Sequence, residues 1–313
     1  MRLRKWTLFS TTFLFVSLGF LPKSLQATEG GFGAYLPGYR DFLTGIVPPV
    51  PGAYFRNDFY FYDAGVSRVV RQGAVNANLD IFLFADIIQG TFVLPGDFFG
   101  AKFAMGAAFP IMDTHLSGSL ATETGSVAAS GEQLAQGDLI LNPFLLGWNR
   151  KNFYWNFTTA FFIPTGKYDV DKVINSGKNY VAIDPELGFT YFNPMKGIDV
   201  SLALGYTYNF ANQATDYKSG QAFHLDFAAE KIFRFGLKAG AVGYAWVQTT
   251  GDSGSGAILG PFKGRIFGAG PAIGYNFKIG KRTLGTMFKY YREFGAKNHF
   301  QGNAFDLALT FDI

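Results

Sequence analysis

The chain has 313 residues, of which 18% are aromatic and only 16% are charged, against about 25% charged residues in a typical soluble domain. Its formal charge of +4 comes from the first 27 residues, which hold four cations and no acid and leave 23 basic against 23 acidic residues. A neutral chain without a basic cluster is not expected to bind nucleic acid. Cysteine is absent, which excludes thiolate catalysis and cysteine-ligated metal sites.

The N-terminus has the three parts of a secretory signal peptide. Three basic residues among the first five precede an apolar run over 6–21 and a small residue at Ala27. The alternative, a transmembrane anchor, needs about 20 apolar residues, which is more than this run provides. We therefore predict a signal peptide over residues 1–27 and cleavage after Ala27.

The next segment, residues 28–52, contains four prolines and several glycines. Proline at this density excludes a central strand, because it cannot donate to a sheet ladder. Two alternatives remain open for this segment. It is either a disordered lead-in on the periplasmic side or a short piece of chain inside the lumen, where it would gate a channel.

From residue 53 to residue 313, apolar and polar residues alternate with a period of two, which is typical of strands with two different faces. The last segment, 305–313, places Phe, Leu and Ile on one face and two carboxylates on the other. No later run approaches the roughly 18 apolar residues of a spanning helix. We predict an all-β, transmembrane, antiparallel up-and-down β-barrel of about twelve strands. The strands are expected to start near residues 53, 76, 98, 135, 152, 182, 198, 221, 236, 265, 283 and 303.

The connections between these segments alternate between long and short, as do the outer loops and periplasmic turns of outer-membrane barrels. This alternation argues against a soluble sandwich and places both termini on the periplasmic side. Long connections are expected around 65–74, 113–133, 165–180, 211–220, 250–264 and 295–302, and short ones around 90–97, 149–151, 194–197, 234–235 and 279–282.

The inward faces of the predicted strands carry charges of both signs among aromatic side chains. A barrel of this size holds a narrow channel or a cavity for one small ligand, and paired acids and bases would lock the lumen shut at rest. The residues predicted to line the lumen are Arg56, Asp58, Asp80, Asp86, Asp138, Asn142, Asp184, Glu186, His224, Asp226, Glu230, Lys289 and Asp306.

His224 and Asp226 share one face of a strand, with Glu230 further along. One interpretation is a metal site or an acid–base pair. The simpler interpretation, which we favour, is a polar pair that solvates the lumen, because metal sites need three or four convergent ligands. No nucleophile and base occur in a catalytic arrangement, so we expect neither an enzyme nor a bound cofactor or metal.

Several motifs, taken in order, resemble those of the outer-membrane proteins named for the MetA pathway of phenol degradation. The resemblance covers nearly the whole chain after residue 27, and it implies a barrel that passes aromatic or other hydrophobic solutes. The motifs are 36–42 (LPGYRDF), 47–55 (VPPVPGAYF), 137–139 (GDL), 145–148 (LLGW), 163–168 (IPTGKY), 216–226 (DYKSGQAFHLD), 251–256 (GDSGSG), 263–265 (KGR), 270–271 (GP) and 291–294 (YREF).

Two functional hypotheses follow. The first is a passive channel, in the outer membrane of a Gram-negative bacterium, for small hydrophobic or aromatic solutes. The second is a plugged barrel with a structural or surface-binding role and no transport. Either barrel would have outer-membrane lipid as its surroundings and the barrel assembly machinery as its partner during insertion.

Overall fold

The computed structural model describes residues 31–69, 75–122, 125–128, 130–257, 260–280 and 282–312, which do not include the predicted signal peptide. In this part of the chain, no helix is both long and apolar enough to cross a bilayer. The structure is all-β, with strands β1 (Gly52–Val69), β2 (Val75–Val93), β3 (Lys102–Thr122), β4 (Gly125–Ala128), β5 (Gly131–Gln136), β6 (Leu139–Arg150), β7 (Phe153–Ile163), β8 (Ala182–Asn193), β9 (Ile198–Asn209), β10 (Ala222–Ile232), β11 (Leu237–Gln248), β12 (Arg265–Ile279), β13 (Arg282–Lys297) and β14 (Gln301–Asp312).

These elements form a closed antiparallel barrel with twelve wall positions. Strands β4, β5 and β6 all pair with β3, each along a different part of it, and together they make one wall strand. Each remaining strand pairs with its neighbour in sequence, and β1 pairs with β14 to close the ring. The predicted fold class and number of wall strands are confirmed.

The two faces of the wall differ as the period-two pattern predicts. On β10, Phe223 and Phe227 are exposed on the outer face, whereas His224 and Asp226 are at most 1% exposed on the inner face. Large apolar side chains cover the outer face of most other strands in the same way. An outward apolar face and a polar interior are the properties of a barrel that lies in lipid.

Two of the expected long connections are mostly strand. The region 113–133 belongs largely to β3, β4 and β5, and the region 295–302 contains only three residues, 298–300, between β13 and β14. The prediction of a strict alternation of long and short connections was therefore wrong here. The Ser, Thr and Gly residues of 113–133 pair as the end of a long hairpin, which their polarity disguised in the sequence.

One part of the wall is irregular. β5 and β6 are separated by Gly137 and Asp138, and the amide of Gly137 donates to the carbonyl of Pro110 on β3. The pairing of β6 with β7 shifts between Leu141 and Leu145, around Pro143, which has no N–H to donate. The ladder is therefore interrupted in this part of the described wall.

Candidate functional site: the barrel lumen

The described residues that precede β1, residues 31–51, lie inside the barrel and are called the lumenal segment below. The amide of Gly38 donates to Asp226 on β10, and the amide of Gly45 donates to Thr190 on β8. Asp41 binds Lys289 on β13. These three strands lie on different sides of the ring, so the lumenal segment is enclosed by it.

The lumenal segment runs the length of the lumen. It joins β1 at Gly52, which pairs with Val93 next to the short 94–101 connection. At the other end, the ring of Phe32 stacks on Phe300 in the β13–β14 connection, with 5.3 Å between centroids. Of the two alternatives left open for this region, the structure places the described part in the lumen.

Two glycines allow the lumenal segment to approach the wall. Gly38 has a φ of +83°, and a Cβ there would lie 2.8 Å from Cζ of Tyr291. A Cβ on Gly45 would lie 2.6 Å from the backbone nitrogen of Thr190, which cannot move aside. Glycine is therefore required at Gly38 by both conformation and space, and at Gly45 by space.

The lumenal segment has only two charged residues, Arg40 and Asp41, and each meets opposite charge on the wall. They lie next to each other in the chain but contact different clusters of wall residues. Neither was predicted as a site residue. Their isolation in an otherwise uncharged, proline-rich segment is the signal that would have identified them.

Asp41 enters what we call the ionic cluster, which it forms with Arg56, Asp58, Lys289 and Asp306. Its carboxylate lies 2.9 Å from Arg56 and 2.6 Å from Lys289. Arg56 also binds Asp58 at 2.6 Å, and Lys289 also binds Asp306 at 2.6 Å. Each wall cation therefore has a wall carboxylate of its own in addition to Asp41.

Arg40 enters a second group, the acidic cluster, which contains Asp184, Glu186, His224 and Asp226. The guanidinium of Arg40 lies 2.8 Å from Glu186 and also donates to Asn156 at 3.1 Å. Nε2 of His224 lies 2.9 Å from Asp184. The wall supplies three carboxylates here and no Lys or Arg.

Asp226 in the acidic cluster binds the backbone of the lumenal segment. Its carboxylate accepts hydrogen bonds from the amides of Gly38 at 3.0 Å and Arg40 at 3.2 Å, and from the hydroxyl of Tyr35. The ring of Tyr35 stacks on His224 with 3.4 Å between centroids. Because hydrogen bonds to ionised groups are the stronger ones, this carboxylate is a principal anchor of the lumenal segment.

A third contact was not among the predicted site residues. Asp199 on β9 accepts a hydrogen bond from the amide of Leu43 at 2.9 Å and another from Ser201 at 2.7 Å. Glu230 lies directly opposite Asp199 on β10 and is also buried. The polar face of β9 was visible in the sequence, but its partner in the lumenal segment was not.

The structure places most of the predicted lumenal residues inside the barrel. Asn142 lies at the wall of an internal cavity, and Asp138 instead holds the β7–β8 connection, accepting from the amides of Gly166 and Lys178. The inward-facing residues, buried or half-buried, are Arg56, Asp58, Asn142, Asp184, Glu186, His224, Asp226, Glu230, Lys289 and Asp306.

Two predicted positions, Asp80 and Asp86, lie on the outer face and were wrong. In the register of β1 and β2, the buried Asp58 is opposite Ile87, so Asp86 points outward. The inner face of β2 is apolar because it packs against apolar parts of the lumenal segment, such as Leu36. The rule that polar residues face inward assumes a watery lumen, and this side of the lumen is filled by protein.

A cavity of about 110 Å³ remains between the lumenal segment and the wall. Tyr35, Leu36, Tyr39 and Arg40 form one side of it, and residues of β2, β3, β6, β7 and β8 form the other. The lining is mainly apolar, with a few polar groups such as Asn142. The cavity lies beside the irregular part of the wall.

Among the residues that the structure describes, no three His, Asp or Glu side chains are placed to hold a metal ion.

His299, at the end of the barrel near Phe32, is buried beside Trp246 with 5.3 Å between ring centroids. This burial lowers the pKa of His299 to about 4, so the residue is neutral and packs as an aromatic side chain.

A closed twelve-strand barrel, apolar outside and filled inside by its own N-terminal residues, belongs to the architecture of outer-membrane barrels. The family model described as "Putative MetA-pathway of phenol degradation" matches residues 61–309, and the chain belongs to this family. This confirms the resemblance identified in the sequence. No curated protein matches the sequence.

One solved structure shares this fold, and the likeness of a second is weaker. An outer membrane channel from Pseudomonas putida F1 is 15% identical with a TM-score of 0.62, and the match covers 85% of this chain and 96% of that chain. A Pseudomonas aeruginosa FadL homologue is 10% identical with a TM-score of 0.40, over 83% of this chain and 88% of that chain. At these identities the likeness concerns the fold alone.

Proposed function

We propose that this protein is a passive channel for small hydrophobic or aromatic solutes in the outer membrane of a Gram-negative bacterium, and that the lumenal segment closes it at rest. The observation that carries the proposal is the mainly apolar cavity between the lumenal segment and the wall. An apolar cavity of about 150 Å³ binds benzene in another protein, so a cavity of about 110 Å³ holds at most a single ring unless the lumenal segment moves. Membership of the phenol-degradation family supports the same solute class.

The contacts of the lumenal segment support its role as a removable closure. They are hydrogen bonds and ion pairs through Gly38, Arg40, Asp41 and Gly45 rather than a continuous ladder with the wall. Polar contacts of this kind exchange with water when the segment moves. Movement of the segment would join the cavity to both mouths of the barrel.

Flux into proteoliposomes tests the proposal. The purified protein is reconstituted and supplied with a panel of single-ring aromatic compounds and, as a matched set, sugars of similar mass. We expect flux of the aromatic solutes above that of empty vesicles and little flux of the sugars. Equal leakage of both sets, or no flux of either, would refute the proposed solute class.

A second candidate function is a plugged barrel with a structural or surface-binding role. The number of contacts between the lumenal segment and the wall favours it. It is tested by recording from planar bilayers that contain the full-length protein, with a variant that lacks residues 31–50 as the control for an unfilled barrel. Single-channel steps in the full-length protein would exclude the structural barrel, whereas a full-length protein that stays silent while the deletion variant conducts would favour it.

We also propose that the barrel lies in the outer membrane, because the outer face of its wall is apolar. Its apolar side chains suit outer-membrane lipid, and insertion of such a barrel would use the barrel assembly machinery. Fractionation of a Gram-negative host that expresses the full chain tests the location. Recovery with the outer membrane is expected, and recovery in the periplasm would contradict it.

A further inference from the structure

The outer face of β1 and β2 carries a polar pair within an apolar surface. Asn57 and Asp86 point outward, because the alternate positions Asp58 and Ile87 face the lumen. The amide nitrogen of Asn57 donates to Oδ1 of Asp86 at 2.5 Å. The pair is half-buried by its neighbours on the wall.

Aromatic contacts flank this pair on both sides along the strands. Toward the end of the barrel with the 94–101 connection, Phe55 contacts Phe311 with 4.8 Å between ring centroids. Toward the end with the 298–300 connection, Phe61 contacts Phe84 with 4.9 Å between ring centroids. The polar pair therefore lies within the height of the apolar band and not at its rim.

A carboxylate at this height is unfavourable against lipid tails. Charged side chains on the lipid face of a barrel destabilise it most near the middle of the bilayer. Ionisable side chains at that depth are rare, and they usually find a partner and mark a functional site. A protein surface that donates a hydrogen bond to the carboxylate of Asp86 would lower this cost.

The pair has one donor and one acceptor to spare. The second N–H of Asn57 makes only a long contact of 3.4 Å with the carbonyl of Ile87. In the described part of the chain, Oδ2 of Asp86 has no hydrogen-bond partner. A two-fold axis beside the pair would bring each spare N–H to the spare oxygen of the other copy, which is the self-complementarity that a symmetric dimer requires.

The same surface has room for a close approach. Gly90 lies on the outer face of β2, and a Cβ built on it would find no atom within 4 Å. Ile88 stands between Gly90 and Asp86 and is 36% exposed. A glycine within a strand is often found where another chain comes near.

We infer that the outer-face patch of Asn57, Asp86, Ile88 and Gly90 is the contact between two copies of this barrel in the membrane. The two Asn57–Asp86 pairs meet across the axis, and the apolar side chains around them exclude lipid. This inference goes beyond transport, since it concerns the outer surface and holds whether or not the lumen opens.

Cysteine cross-linking tests the dimer without interference from native thiols, because the chain has no cysteine of its own. Ile88→Cys places a thiol in the patch. Phe227→Cys places one on the outer face of β10, half-way round the ring, where Phe227 is 42% exposed. After treatment of membranes with a short bifunctional maleimide, we expect a band of twice the protomer mass from Ile88→Cys and none from Phe227→Cys.

The role of the polar pair is tested in the Ile88→Cys background. Asp86→Leu is expected to lower the cross-linked fraction several-fold, whereas Asp80→Leu, on the same strand but beyond the patch, is expected to leave it unchanged. Heat-dependent gel mobility shows that each variant has a folded barrel. Folded Ile88→Cys without a dimer, equal dimers at both cysteines, a product of another mass, or no response to Asp86→Leu would each overturn the inference.

Discussion

The two clusters that hold the lumenal segment differ in how the wall balances its own charge. In the ionic cluster, Arg56 is paired with Asp58 and Lys289 with Asp306, so this side of the wall is neutral without Asp41. In the acidic cluster, Glu186 receives its ion pair from Arg40 of the lumenal segment. Withdrawal of the lumenal segment therefore leaves a charged side chain without an ion-pair partner in the acidic cluster only.

This difference identifies the acidic cluster as the one that keeps the lumenal segment in place more strongly. The ionic cluster contains four ion pairs, and the two within the wall, Arg56–Asp58 and Lys289–Asp306, survive when the segment leaves. The acidic cluster has a single pair to the segment, and its loss leaves Glu186, which is 5% exposed, beside Asp184 and Asp226. A buried charge without a partner is far more costly than a missing bond in a balanced group. The number of ion pairs is thus a poor guide to what keeps the lumen closed.

The largest effect is expected for Arg40→Ala. Removing one partner of a buried ion pair costs about 3–5 kcal/mol, and the variant bears this cost already in the closed state, so withdrawal of the lumenal segment no longer adds it. In planar bilayers, the open fraction of the channel should rise more than about a hundredfold, since about 1.4 kcal/mol corresponds to a factor of ten. Arg40→Lys keeps the positive charge, so the open fraction of that variant should rise less. An unchanged open fraction in Arg40→Ala would contradict this account of the acidic cluster.

A second substitution sharpens the comparison by removing the charge of Glu186, which lacks a partner once Arg40 is lost. In the Arg40→Ala background, Glu186→Gln leaves a neutral side chain that still forms hydrogen bonds. The open fraction should return most of the way toward that of the unmodified protein, because the cost lies in the charge and not in the missing contact. If the double variant opens as often as Arg40→Ala alone, charge on Glu186 is not what drives the opening.

Asp41→Asn examines the balanced side and should have a smaller effect. It weakens hydrogen bonds to charged groups, each worth about 1.5–3 kcal/mol, but it strands no charge on the wall. The amide oxygen of the new side chain still accepts a hydrogen bond from Lys289 or Arg56. The same bilayer recordings should give an open fraction between those of the unmodified protein and Arg40→Ala. An effect as large as that of Arg40→Ala would remove the distinction between the two clusters.

The smallest effect is expected for Tyr39→Phe, outside both clusters. The hydroxyl of Tyr39 donates to Oε1 of Gln89 at 2.6 Å beside the cavity. Losing one such bond costs about 0.5–1.5 kcal/mol, so the open fraction should rise by about two- to twelvefold. Tyr290→Phe, which loses a hydrogen bond to Asn303 on the outer face, serves as the control and should leave gating unchanged. Identical behaviour of the two variants would mean that the Tyr39 bond does not hold the segment.

The wall itself was largely predictable from the sequence. Strands β8, β9 and β12 begin at the expected residues, Ala182, Ile198 and Arg265, because each starts a clean alternation of apolar and polar side chains. The alternation depends on local chain geometry and on lipid outside the barrel. Both are properties that a sequence pattern records directly.

The filling of the lumen was not predictable in the same way. Prolines in the lumenal segment ruled out a strand, but they do not specify what the segment packs against. The apolar inner face of β2, with Leu79, Ile81 and Leu83, has meaning only beside that segment, so Asp80 and Asp86 were assigned to the wrong face. Contacts between distant parts of a chain leave no periodic signal.

The place of the lumenal segment constrains how this barrel assembles. The segment continues directly into β1, and β1 meets β14 at the seam where the two ends of the described wall join. A sealed ring admits a chain only lengthwise, whereas an open sheet admits it from the side. Docking of residues 31–51 onto β8, β9 and β10 before the seam closes avoids threading altogether. In that order of assembly, residues 31–51 would act as an internal template, and the β1–β14 ladder would form last.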